Sequence, residues 1–182
     1  KRLNKPSLAK SWQISEDGTS YTFYLKRNIY FHDNPCFRDK SDRLLSSNDV
    51  LFSFDRLIND SINSPGSWIF KGKVDPDSAF VARNDSVFVL NLKEPFLPML
   101  NMLSMQYCSI IPRRAIDHFK NDFRSNPVGT GPFKFKRWLE NQGLYLIKND
   151  QYFESNSESS IPNLDGVRTS FIEDRKISFL EL

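Results

Sequence analysis

The chain has 182 residues, and its 25 Lys and Arg stand against 22 Asp and Glu for a formal charge of +3. Hydrophobic residues make up 39% and phenylalanine alone occurs 16 times, enough to bury one good core or two small lobes sharing one. No apolar run approaches the roughly 20 residues that span a bilayer, Lys1-Arg2-Leu3 leads into no signal-peptide core, and clusters as short as Lys71–Lys73 or Arg113-Arg114 make no nucleic-acid footprint.

Trp12 to Leu25 holds the first strong pattern. Asp17-Gly18 is a hairpin turn, since Gly supplies positive φ without strain. Beyond it Tyr21, Phe23 and Leu25 alternate with Thr22 and Tyr24, the period of a half-buried strand. Ile29 to Pro35 is expected to be a short strand running into a turn. Ser46 as N-cap with Asp49 three residues on approximates a capping box. The helix it starts would bury Val50, Phe54, Leu57 and Ile58.

Ser61 to Lys73 contains Pro65-Gly66 and is expected to be a loop that exposes Trp68. Val87 to Leu92 is predicted as a strand closed by Pro95, and Phe96 to Met105 as a short apolar helix. Ile110-Ile111-Pro112 ends an extended segment, and Ala115 to Phe123 carries the pattern of a second amphipathic helix. Phe133–Trp138 and Leu144–Lys148 form a strand pair turning at Asn141-Gln142-Gly143. Ser155 to Ser160 is a solvated loop by composition. Val167 to Ile172 is the last predicted strand, and a helix is expected from near Asp174. An apolar stripe just begun at Phe179-Leu180-Glu181-Leu182, with no cap, suggests a piece of a longer protein.

Few residues offer chemistry. His32 and His118, with the distant Cys36 and Cys108, are too few for a structural zinc site, and the cysteine count leaves pairing open. His32-Asp33 resembles a general-base pair, but adjacent residues on a strand point to opposite faces. No nucleophile elbow accompanies them, so a turn bonding local backbone is the better reading. Gly129-Thr130-Gly131 lacks the Lys-Ser/Thr of a phosphate loop, and Pro132 leads into a strand. It reads as a tight crossing where glycine permits close backbone approach.

Five segments, in order, resemble the dipeptide- and oligopeptide-binding proteins of ABC transporters, the family 5 extracellular solute-binding proteins. They are Leu8-Ala9-Lys10-Ser11-Trp12 with Ser15 to Phe23, and Phe31-His32-Asp33 with Pro35. Asn48 to Phe54 and Asn126 to Phe133 follow. The last is Asn149-Asp150-Gln151-Tyr152-Phe153 with Pro162 to Val167. Each is weak alone, and their order and spread over nearly the whole chain make the signal. Asn34 and Asp150 stand where the family favours Gly and Pro, and an insertion separates Pro35 from Ser46.

The resemblance implies a mixed α/β fold of the type II periplasmic binding protein kind. It assigns 1–45 to the start of the main lobe and 46–125 to a small inserted subdomain. Residues 126–182 return to the main lobe, and the second lobe lies outside the chain. The implied function is capture of oligopeptides or dipeptides for a membrane permease, with no enzyme activity and no cofactor or metal. The protein would sit in the periplasm or on the outer face of the cytoplasmic membrane, held by a lipid anchor on a preceding segment. Nickel complexes, haem or oligosaccharides are alternative solutes in this family, and a ligand-sensing regulatory domain is an alternative role. The expected ligand cleft comprises Gly66, Ser67 and Trp68 with Tyr152 at its rim. Tyr107 is expected in core or rim, and His32, Asp33, Gly129, Thr130 and Gly131 in a structural motif.

Overall fold

A computed structural model describes residues 4–75, 77–155 and 161–171. Two antiparallel sheets organise it. The first has the strand order β1-β2-β4-β3, from β1 (Ala9–Ile14), β2 (Ser20–Leu25), β3 (Phe80–Asn84) and β4 (Val87–Asn91). The second has the order β5-β6-β7, from β5 (Phe133–Leu139), β6 (Gly143–Lys148) and β7 (Gly166–Ser170).

The β1–β2 hairpin forms where the sequence places it. Gly18 takes φ +71°, and the Asp17 carboxylate accepts from the backbone and hydroxyl of Thr19 at 3.0 and 2.7 Å. Tyr21 and Leu25 are buried as the alternation requires. β2 then pairs with β4 from Ser20↔Asn91 to Tyr24↔Val87. One sheet thus draws strands from both sides of the expected boundary between residues 45 and 46.

Helix α1 (Ser47–Ile58) starts as predicted. Both the backbone N–H and the hydroxyl of Ser46 donate to the Asp49 carboxylate, at 2.8 and 3.0 Å. This satisfies an N–H that a helix start would otherwise orphan. Val50 and Phe54 face inward, and α1 lies across β3 and β4. Phe54 meets Phe70, Phe80 and Phe88 at ring separations of 5.0, 5.5 and 5.5 Å. Edge-on and tilted rings at such spacing gain about 0.5–1.5 kcal/mol per pair beyond their burial.

Several expectations are corrected. Ile29 to Pro35 forms no strand, only a bridge of Tyr30 to Leu44. Leu44 directly follows the 3-10 turn Ser41–Arg43, so the bonds Phe31 N–H to Arg43 O and Leu45 N–H to Ile29 O do not extend into a ladder. Strand β3 had no forecast. Helix α2 spans only Met99–Leu103, after Pro98. Helix α3 runs Arg113–Phe119 and stops where Lys120 takes φ +50°, giving way to 3-10 turns over Lys120–Ser125. The β5–β6 turn does form, with Asn141 at φ +57°. Residue 172, most of the Ser155–Ser160 loop and the helix expected near Asp174 lie outside the described residues. Cys36 and Cys108 are both free thiols, which burial holds near pKa 11.

Candidate functional site

The loop carrying Trp68 is pinned from both sides. Trp68 sits on the 3-10 turn Ser67–Ile69 and leaves 46% of its surface exposed, while the next two residues, Ile69 and Phe70, are fully buried. Lys73 donates from Nζ to the Trp68 carbonyl at 2.8 Å. Gly66 lies so close to Tyr107 that a Cβ there would stand 2.7 Å from the tyrosine Cβ. Only glycine fits that contact, and the indole is thus displayed from a fixed base.

Tyr152 occupies a different place. Its hydroxyl donates to Glu154 at 2.8 Å, and burial together with that carboxylate pushes the phenol up to about 12. Lys26 pairs with the same Glu154 at 3.5 Å and stands 5.0 Å from the Phe153 ring. No hydrogen bond or ring contact joins Tyr152 to Gly66, Ser67 or Trp68.

Two apolar grooves flank the segment between them. One, of about 440 Å³, is lined by Trp12, Phe23, Leu100, Leu103, Met105 and Cys108 among others. The other, of about 570 Å³, is lined by Phe133, Phe135, Trp138, Leu144 and Leu146 of the second sheet, with His32 and Ile111 across from them. Ser109 and Ile110 line both and form the wall between. Neither groove includes Trp68 or Tyr152, yet Tyr107, on which Gly66 rests, begins the segment that leads into this wall.

His32 and Asp33 part company as adjacent residues should. Asp33 points to solvent and pairs with Arg43 at 3.4 Å. His32 is 8% exposed, and its Nε2 lies 2.9 Å from the Gly131 carbonyl. A carbonyl only accepts, so Nε2 carries the proton. The expectation of local backbone bonding is therefore corrected, since the partner lies 99 residues along the chain. Close approach does not explain the glycines either. A Cβ on Gly129 would meet only His32 at 3.9 Å, and one on Gly131 would meet nothing within 4 Å. Thr130 sits half-buried between them. Hydrogen bonds fix this loop.

Three residues that sequence reasoning missed complete the join. Asn149 donates from Nδ2 to the same Gly131 carbonyl at 3.0 Å. Buried Arg43 donates to Phe31 O at 3.0 Å and to Gln151 at 3.2 Å. Only the position of Asn149 and Gln151 in a family-like segment hinted at them, because isolated polar residues leave no periodic trace. Among the described residues no group of three or more acidic, histidine or cysteine side chains is placed to hold a metal ion, and no helix is long and apolar enough to cross a membrane.

Known proteins resemble this chain in sequence and in fold. The dipeptide-binding protein of Escherichia coli K12 is 31% identical over 97% of the chain and 34% of its own length. Heme-binding protein A of Haemophilus influenzae is 28% identical over 98% of the chain and 34% of its own length. The chain thus spans about a third of the length of these relatives. Among solved structures, the ABC transporter-associated periplasmic binding protein DppA of Helicobacter pylori, in complex with the peptide STSA, superposes with a TM-score of 0.82 at 31% identity. The match covers 98% of this chain and 36% of that one. The family model of bacterial extracellular solute-binding proteins, family 5 Middle, matches residues 4–182, and the chain belongs to that family.

Proposed function

We propose that the protein carrying this chain is the solute receptor of an ABC importer and that its solute is a short peptide. The observation that carries this reading is the likeness to the peptide-bound Helicobacter pylori protein, at 0.82 in TM-score and 31% identity over 98% of the chain. An extended peptide would be gripped between two lobes, partly through main-chain hydrogen bonds. Closure would follow because the ligand binds the closed state better than the open one. The closed form would then dock on the permease. Nothing in this cycle requires a catalytic residue, and the fixed, buried His32 is ill placed to be one.

Residues 126–182, which contain the second sheet, are on this reading part of the main lobe. The protein would work in the periplasm or on the outer face of the cytoplasmic membrane, with a lipid anchor upstream. Trp68 is assigned to the ligand side, since it is 46% exposed on a pinned loop. Gly66 and Ser67 shape that loop, and Tyr152 belongs to the rim.

Calorimetric titration of the full-length protein with di-, tri- and tetrapeptides tests the reading, with haem as the competing solute. Saturable peptide binding, weakened by Trp68→Ala, is the expected outcome. Haem binding without peptide binding would instead select the second reading, which the 28% identity to the Haemophilus haem binder keeps in play.

A further inference from the structure

We propose that His32 is a positioning residue that joins the second sheet to the first unit through its Nε2–H, and that mild acid loosens this join. The inference concerns how the two sheets are held and stands whichever solute the protein takes.

The geometry is a small, dense set of bonds at one crossing. The His32 backbone N–H donates to Gly129 O at 2.8 Å, and Nε2–H donates to Gly131 O at 2.9 Å. The Asn149 side chain adds a second donor to Gly131 O at 3.0 Å, while its backbone N–H donates to Pro132 O at 2.9 Å. His32 follows the first sheet, Gly129 to Pro132 leads into β5, and Asn149 ends β6. The Gly131 carbonyl therefore ties together three segments, and the imidazole forms part of the wall of the 570 Å³ groove. With both acceptors on backbone, the bond fixes where the chain runs rather than where a side chain points.

The charge around the ring decides its acid response. The charged groups acting on it are the Lys134 ammonium, on β5, and the Arg43 guanidinium, whose carboxylate partner Asp33 is turned to solvent. Among the described residues no carboxylate is hydrogen-bonded to the imidazole. Protonation would place a third cation in a buried site between two others, and burial with these neighbours lowers the histidine pKa despite the favourable Gly131 bond. Nε2–H donates to Gly131 O in either protonation state, so acid acts through the cost of a buried charge and not through loss of the bond. A folded-state pKa below the unfolded one means the stability contributed by the neutral ring is fully present above about 6.5. It weakens as pH falls from there through the lower folded value.

His32→Gln keeps an N–H near the Nε2 position but cannot titrate, so it separates the hydrogen bond from the charge. In the full chain, thermal unfolding should show wild type losing more Tm than His32→Gln between about pH 7.5 and pH 5.5, the window set by the histidine range. Near neutrality His32→Gln should stay close to wild type and His32→Ala should fall below both. The protection factor of the Asn149 backbone amide, with the intrinsic pH dependence of exchange divided out, should fall in acid in wild type alone. Parallel pH profiles for wild type and His32→Gln would overturn the proposal. Should His32→Ala not fold, the NMR titration of His32 in wild type still decides. A midpoint below the ordinary histidine value supports the join, and one at or above it sinks the idea.

Discussion

In the first unit, Phe54, Phe70, Phe80 and Phe88 lie at 8% exposure or less, closed in by α1 on one side of a four-stranded sheet. In the strands of the second sheet no aliphatic or aromatic side chain is buried. Phe133, Phe135, Trp138, Leu144 and Leu146 instead line an open groove. Both sheets have the alternation that a packed face needs. The difference lies in cover, because α1 supplies a second layer to one sheet and no described helix does so for the other. A three-stranded sheet with one open face gains little by itself, which is why the hydrogen bonds at His32, Asn149 and Arg43 matter for holding it in place.

The largest test of that contrast is a pair of truncations. Phe54→Ala should cost about 3–5 kcal/mol, as a buried aromatic that leaves a cavity among three rings. Phe135→Ala, at a side chain only partly buried, should cost about 1 kcal/mol, a fraction of the full burial term. Urea unfolding of both variants measures the gap, and equal losses would mean the second sheet is as well packed as the first.

Next in size comes a pair of glycine replacements. Gly66→Ala drives a methyl into the Tyr107 ring and should cost about 1–3 kcal/mol by overpacking. Gly131→Ala meets open space and should stay within about 0.5 kcal/mol of wild type. Comparable destabilisation at both positions would show that the crossing loop is tighter than its geometry indicates.

The smallest expected effect belongs to the first turn. Bonds from Ser15 and Thr19 hold the exposed Asp17 carboxyl at about 2, below its ordinary 3.8. The stability this adds is present above 3.8 and is lost as pH falls through about 2. Asp17→Asn should flatten that acid limb slightly in a pH series of melting curves. An unchanged limb would remove the turn from the acid response.

Much of the fold was legible because its signals are short. Asp17-Gly18 set a hairpin, Ser46 with Asp49 set a helix start, and Asn141-Gln142-Gly143 set the second hairpin, each within a few residues. β3 escaped because Phe80 to Asn84 carries only two large apolar side chains, and α3 was misplaced because nothing in Lys120 announces a positive φ. The candidate site was less legible. Trp68 stood out only as a large aromatic in a Pro-Gly loop, and the Tyr107 contact that fixes that loop lies far along the chain.

By itself, then, the sequence determined the local turns, the α1 stripe and the membership of family 5, since five ordered segments survive in it regardless of how the chain is folded. Only the tertiary structure decided that β4 joins β2 across the expected boundary, that Cys36 and Cys108 stay apart, and that His32 bonds Gly131. The physical reason is range. A turn or cap is satisfied by neighbours a few residues away, whereas a hydrogen bond spanning 99 residues depends on the whole path of the chain between its ends, and that path leaves no mark at either one.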